Sequence, residues 1–359
     1  GIQIGDNADA SNFNLFDSHQ KFIDATNSNV VLRNNVFQNC SGPAVESVFT
    51  AITSMKGLLD LSPSSATVTN RFWDCRQAVS GNRVYKFNMR HAIVRSTQNA
   101  TNTANSALRF GVTMKTGNFD YIISQNEFTN IYDGINISVI PVSINSGTFN
   151  FSYIDAHDLI ITSNTLSAGN VSGSFSNRAI NVSSLFNIPW TNTPACNYTY
   201  TTHGGNISNH CRGLTIDGNH INGALRGISV NGVSNFQTNI QGNIISLRDD
   251  NIFNVAQQGI YLVNSMSGAN KPMQFQIAQN SVSGGTASVS NPLMSMVFSG
   301  NNMGIYSPSI SCNEIQDSHK GFVFNGANSN AVWAGNIMQP MAQGLRLENA
   351  AAIGTQGGP

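Results

Sequence analysis

An asparagine-centred phrase recurs along this chain, and it constrains the fold more than any other feature. It reads apolar–x–x–Asn–x–apolar, followed eight residues after the Asn by Gly and another apolar residue. The clearest copies centre on Asn126 (with Gly134-Ile135), Asn219 (with Gly227-Ile228), Asn313 (with Gly321-Phe322) and Asn336 (with Gly344-Leu345). Weaker copies centre on Asn35, Asn70, Asn164, Asn243 and Asn280. A repeat of this period implies a stacked array in which each unit buries one face against its neighbours.

The shortest intervals, 24 residues from Asn219 to Asn243 and 23 from Asn313 to Asn336, have room for three short strands and three turns. That is one coil of a parallel β-helix. Leu214-Thr-Ile216, Gly227-Ile-Ser-Val230, Gly259-Ile-Tyr-Leu262, Gly321-Phe-Val-Phe324 and Gly344-Leu-Arg-Leu347 read as strands. Asn suits the corners, since it tolerates the left-handed conformation and its amide can bond to an Asn on the next coil. Gly ahead of the following strand suggests a turn with positive φ. A leucine-rich repeat competes, but Leu is scarce and the second half of each unit reads as strand rather than helix.

The composition agrees with an array. Among 359 residues only 10% are charged, while Asn numbers 49 and Gly 32. Net charge is zero, which removes the electrostatic footprint of a nucleic-acid binder. Since no apolar stretch is long enough to span a bilayer, membrane insertion is not expected either. The expected organisation is an N-terminal cap or incomplete first coil over 1–29, roughly ten coils over 30–348, and a tail over 349–359 leading into further sequence. Gly1 opens without a basic or apolar leader, as in a mature or trimmed product.

The array resembles right-handed parallel β-helix proteins of the pectin-lyase-like superfamily, over about Val30 to Leu347. The ending Asn349-Ala-Ala-Ala-Ile353-Gly-Thr-Gln356-Gly resembles the tail of β-helix regions in large exported surface proteins of Bacteroidetes. The resemblance implies an all-β single solenoid, and an extracellular or cell-surface location.

The coils are unequal. The step from Asn to the next Gly- or Ala-apolar pair lengthens to 15 residues (Asn164 to Ala179), 16 (Asn243 to Gly259) and 24 (Asn280 to Gly304). Such insertions share a corner and should emerge along one edge, where binding surfaces are commonly grafted. Another corner carries Val182 to Arg212, whose Trp190, Tyr198, Tyr200 and His203 are candidate ligand-binding residues. Sugar rings can stack on such aromatics, though they can equally pin the insertion. Trp73 and Trp333 fall inside strands and read as core or ladder residues.

Catalytic sets of the superfamily are incomplete here. Asp249-Asp250 offers a carboxylate pair, but Gln258-Gly-Ile-Tyr261 follows where a histidine would be needed, and no Arg-x-Lys comes after. Asp155-Ala-His157-Asp158 is the densest acidic patch; calcium is the one cofactor it suggests, and a polar turn is the plainer reading. Arg226 and Lys320 each precede a repeat Gly, in the same register as Asp133, Gln258 and Gln343, which suggests an exposed, permissive position. The catalytic candidates are therefore Asp155, Asp158, Arg226, Asp249 and Asp250, with no metal site expected. Cys196 and Cys211 flank a polar loop that a disulfide could close. Cys40 and Cys75 stand five residues after Asn35 and Asn70, which would stack them as buried thiols on adjacent coils. Cys312 has no evident partner.

Three functions follow in order. The first is a secreted or surface β-helix that binds or adheres to a polysaccharide or cell-surface glycan. The others are a lyase or hydrolase of an acidic polysaccharide, and a structural stalk.

Overall fold

A computed structural model describes residues 1–5, 13–50, 57–63, 68–84, 86–97, 109–115, 120–138, 159–168, 177–183, 198–202, 205–210, 213–231, 237–248, 257–263, 275–284, 293–299, 309–328, 331–354 and 356–357. Among them the chain is all-β, with no helix. The strands form long ladders in which every pairing but one is parallel, the arrangement of a parallel β-helix. The first ladder has twelve strands, from Ile2–Ile4 through Leu159–Thr162 and Gly213–Asp217 to Gln356–Gly357. A second runs from Asn14–Asp17 through Thr165–Ala168 and His220–Ala224. A third runs from Ile23–Thr26 through Arg178–Ser183 and Arg226–Asn231. Glu314–Asn328 and Ile337–Ile353 each contribute to both the second and third.

Register makes the core. Leu61, Met89, Ile123, Ile161, Ile216, Ile240, Ile277 and Ile310 stack as one buried column in the first ladder. Phe37, Phe72, Val94, Phe128, Leu166 and Ile221 form another in the second, opened by the stacked rings of Phe16, Phe37 and Phe72 with centroids 5.0 and 5.1 Å apart. Val79, Val112, Ile135, Ile180, Ile228 and Ile260 line the third. Alternating residues face inward along each strand, and each aliphatic side chain so buried contributes about 1.5–3 kcal/mol.

The repeat Asn side chains do form the expected amide ladder. Asn164 donates its backbone N–H and its Nδ2 to Asn219 Oδ1 at 3.0 and 2.9 Å, and Asn219 repeats both bonds to Asn243 at 3.0 Å. The run from Asn126 to Asn336 is unbroken. A shorter run, Asn14, Asn35 and Asn70, is separated from it by Ala92, whose N–H still donates to Asn126 Oδ1 at 2.9 Å. Asn14 and the coil holding Ala92 are additions to the sequence reading.

Four expectations need correction. First, the left-handed residue is not the ladder Asn but the one before it: Asn34, Gln125, Ser163, Gln279 and Cys312 have φ of 52° to 57°, and Gly218, Gly242 and Gly335 of 60° to 63°. Second, the repeat glycines Gly134, Gly227, Gly321 and Gly344 do not have positive φ. They are small because coils approach closely there. A Cβ on Gly227 would lie 2.6 Å from Gly259 O and 2.8 Å from Ile245 Cγ2. Ala44, Ala78, Ala179 and Ser295 fill the same position elsewhere. Third, Ser295 rather than Gly304 is therefore the counterpart of the repeat Gly after Asn280, and the lengthened step is 15 residues (295 − 280). Fourth, Trp73 is 37% exposed; only Trp333 packs on the core, edge-on to Phe322 at 5.5 Å.

Candidate functional site

The residue just before each small residue belongs to the third ladder, and these residues form a column: Arg178, Arg226, Gln258, Met294, Lys320 and Gln343 face one another in register. Asp133 stands beside Arg178, whose backbone N–H it accepts at 2.9 Å and whose Nη2 lies 3.3 Å from its carboxylate. The expectation of an exposed, permissive position fails for most of them. Asp133, Gln258 and Lys320 are buried and Arg226 is half-buried; only Gln343 is exposed. The reason is pleat parity. Arg226 precedes the core residue Ile228 by two, as Gln258 precedes Ile260 and Lys320 precedes Phe322, so each side chain starts on the inward-facing side of its strand.

The corner between the second and third ladders is thus lined with polar groups taken out of water. Asn177 is 1% exposed; its Oδ1 accepts the N–H of Leu225 at 2.7 Å, but its Nδ2 has no partner. Arg178 Nε, Arg226 Nε, Gln258 Oε1 and His319 Nδ1 are likewise buried without partners, and Gln258 is only 6% exposed. The Arg226 guanidinium lies 6.0 Å from the Tyr261 ring centroid. Burial pushes the Asp133 carboxyl above its ordinary range, partly opposed by the Arg178 charge. Buried polar atoms are nearly always paired, and five of the thirteen orphaned side-chain atoms among the described residues lie along this corner. Most are N–H donors, suited to a ligand rich in oxygen acceptors.

The sequence-derived candidates divide between two corners. Arg226 lies in the column. Asp249 and Asp250 lie outside the described residues, on the connection between Ile244–Leu247 and Gln257–Val263 that spans this same corner. The other residues belong to connections from the third ladder back to the first. Asp155 and Asp158 precede Leu159–Thr162 and are outside the described residues. Trp190, His203, Cys196 and Cys211 are also outside them. Tyr198 and Tyr200 fall in Tyr198–Thr202, which pairs antiparallel with Gly205–His210, Tyr198 opposite His210 and Tyr200 opposite Ile207. The arrangement does not bring Arg226 to the corner of this hairpin. Among the described residues no group of three or more His, Cys, Asp or Glu could hold a metal ion.

Sequence reasoning passed over Asn177, Arg178 and His319 and discounted Gln258. The available signal was register: Arg178 precedes Ala179 as Arg226 precedes Gly227. Compared with known proteins, the chain matches no family model, no curated protein and no solved structure.

Proposed function

We propose that this chain is a secreted or cell-surface binding module whose fold is a single right-handed β-helix of the pectin-lyase-like kind, and that its ligand is a glycan. Right-handed crossovers are the rule for parallel strands. The observation that carries the reading is the polar corner: Asn177 Nδ2, Arg178 Nε and Arg226 Nε are buried donors without protein acceptors, and Lys320 is buried further along the same column, beyond Gln258 and Met294. Hydroxyl and carboxylate oxygens of a sugar would satisfy them, and leaving them unsatisfied costs about 1–3 kcal/mol each. A glycan chain lying along the stack would meet the same corner on successive coils.

The test is binding to a panel of neutral and uronate-containing glycans by calorimetry. Arg226→Ala is expected to weaken the best ligand at least tenfold, the order of a lost hydrogen bond to a charged group. Binding unchanged by both Arg226→Ala and Gln258→Ala would remove the corner as the site.

A second reading, cleavage of an acidic polysaccharide, is favoured by one fact: Arg226 shares its corner with the connection that carries Asp249 and Asp250. New reducing ends or unsaturated products from a uronate polymer would support it.

A further inference from the structure

We propose that Cys40 and Cys75 are a modification site, forming a disulfide that closes during folding and staples two neighbouring coils at the turn between the second and third ladders. The two turns begin in register, although the first, 39–42, holds one residue more than the second, 74–76. Cys40 lies between Asn35–Gln38 and Pro43–Val48, and Cys75 between Arg71–Trp73 and Gln77–Asn82. The flanking strands pair in register, Gln38 with Trp73 and Pro43 with Gln77. The residue before each cysteine is left-handed, Asn39 at φ 55° and Asp74 at φ 53°, so both turns aim their side chains alike.

Backbone bonds clamp the turns together on both sides. Asn39 N–H donates to Trp73 O at 3.0 Å and Arg76 N–H donates to Cys40 O at 2.7 Å. Neighbouring strands lie about 4.8 Å apart, inside the roughly 4.4–6.8 Å Cα separation that a disulfide spans. Both thiols are free and buried. Cys40 Sγ–H donates to Gln20 O at 3.0 Å and Cys75 Sγ–H to Phe37 O at 3.5 Å. The neighbouring Cys75 draws the Cys40 thiol down, while Cys40 and burial push the Cys75 thiol up.

A low-molecular-weight disulfide, such as oxidised glutathione, supplies the oxidant. The Cys40 thiolate attacks one of its sulfurs, breaks the S–S bond and releases one glutathione thiolate, leaving a mixed disulfide on Cys40. Cys75, after giving its proton to solvent, attacks the Cys40 sulfur and releases the second glutathione. Two protein thiols are oxidised by two electrons in all, and one disulfide is reduced to two thiols. Because both sulfurs are shielded once the coils stack, the exchange belongs to the incompletely folded chain.

The test is to refold reduced, unfolded protein with reduced and oxidised glutathione, alkylate the remaining thiols under denaturing conditions and digest with trypsin. Cleavage after Arg33, Lys56, Arg71 and Arg76 puts the two cysteines on separate peptides, 34–56 and 72–76. The expected result is one linked species of these two that disappears on reduction, while the exposed Cys312 is recovered alkylated. The rise in melting temperature on refolding with glutathione rather than with reductant alone is expected to be several degrees larger for wild type than for Cys75→Ser. Recovery of both peptides alkylated from folded protein would overturn the proposal, as would either cysteine joined to a different partner. Neither readout depends on glycan binding.

Discussion

At the residue scale, the ladder asparagines spend most of their hydrogen-bonding capacity on neighbouring coils. Asn219 accepts two bonds from Asn164, donates from Nδ2 to Asn243 Oδ1, and donates again to Ile161 O at 2.9 Å. Asn219→Ala is expected to destabilise by about 1–3 kcal/mol for each buried donor it orphans, and Asn336→Ala, at a half-buried rung, by less. Chemical denaturation measures both. The natural gap offers the converse. Ala92→Asn would give Asn70 the acceptor every other internal rung has, and is expected to stabilise by about 1 kcal/mol. Asp133 carries a pH signature. Its folded pKa lies above the ordinary value of 3.8, so just above pH 3.8 the folded state holds more protons than the unfolded one. Stability therefore falls as pH rises through the window between the unfolded and folded values, then stays lowered. Melting from pH 3 to 7 should show wild type losing ground to Asp133→Asn over that window. A difference that grows in favour of wild type would mean that the Arg178 pairing outweighs desolvation.

At the scale of elements, two kinds of glycine do different work. Gly218 has φ +60° and open space around its Cβ position, with Ser163 Oγ nearest at 3.7 Å. Gly227 has an ordinary φ, yet its Cβ position meets Gly259 O at 2.6 Å. Gly218→Ala is expected to cost about 1–2 kcal/mol through backbone strain alone. Gly227→Ala is expected to cost about 1–3 kcal/mol through overpacking, and Gly227→Val more, because a larger side chain meets both the Gly259 carbonyl and Ile245. A larger loss for Gly218→Val than for Gly227→Val would contradict this division. The strands themselves were legible in sequence. Ile216, Phe128 and Ile228 stand in the repeat where the core columns need them, because alternation along a strand is local. The burial of Gln258 and Lys320 was not legible, since a polar side chain on the inward face reads like a solvated one until the pleat parity of the strand is known.

At the scale of the molecule, stacking makes the middle of the array different from its ends. Ile161, Ile216 and Ile240 are fully buried between coils on both sides, whereas Ile2, Leu15 and Leu347 in the outermost coils are each about half exposed. In a stacked array each unit is held mainly by its neighbours. Hydrogen exchange should therefore be slowest at amides of Ile161, Ile216 and Ile240 and fastest in the strands Ile2–Ile4 and Val332–Ala334. Uniform protection along the chain would argue against stacked coils, as would a helical circular dichroism spectrum.

The sequence by itself determined the all-β repeat, the amide ladder and the stacking of Cys40 near Cys75, because each depends on residue type at a fixed period. Only the tertiary structure decided why the repeat glycines are small, which coil breaks the ladder at Ala92, and that Asn177, Arg178, Arg226, Gln258 and Lys320 gather at one corner. Those depend on what the next coil places against a residue, and connections of unequal length hide that neighbour from any local reading.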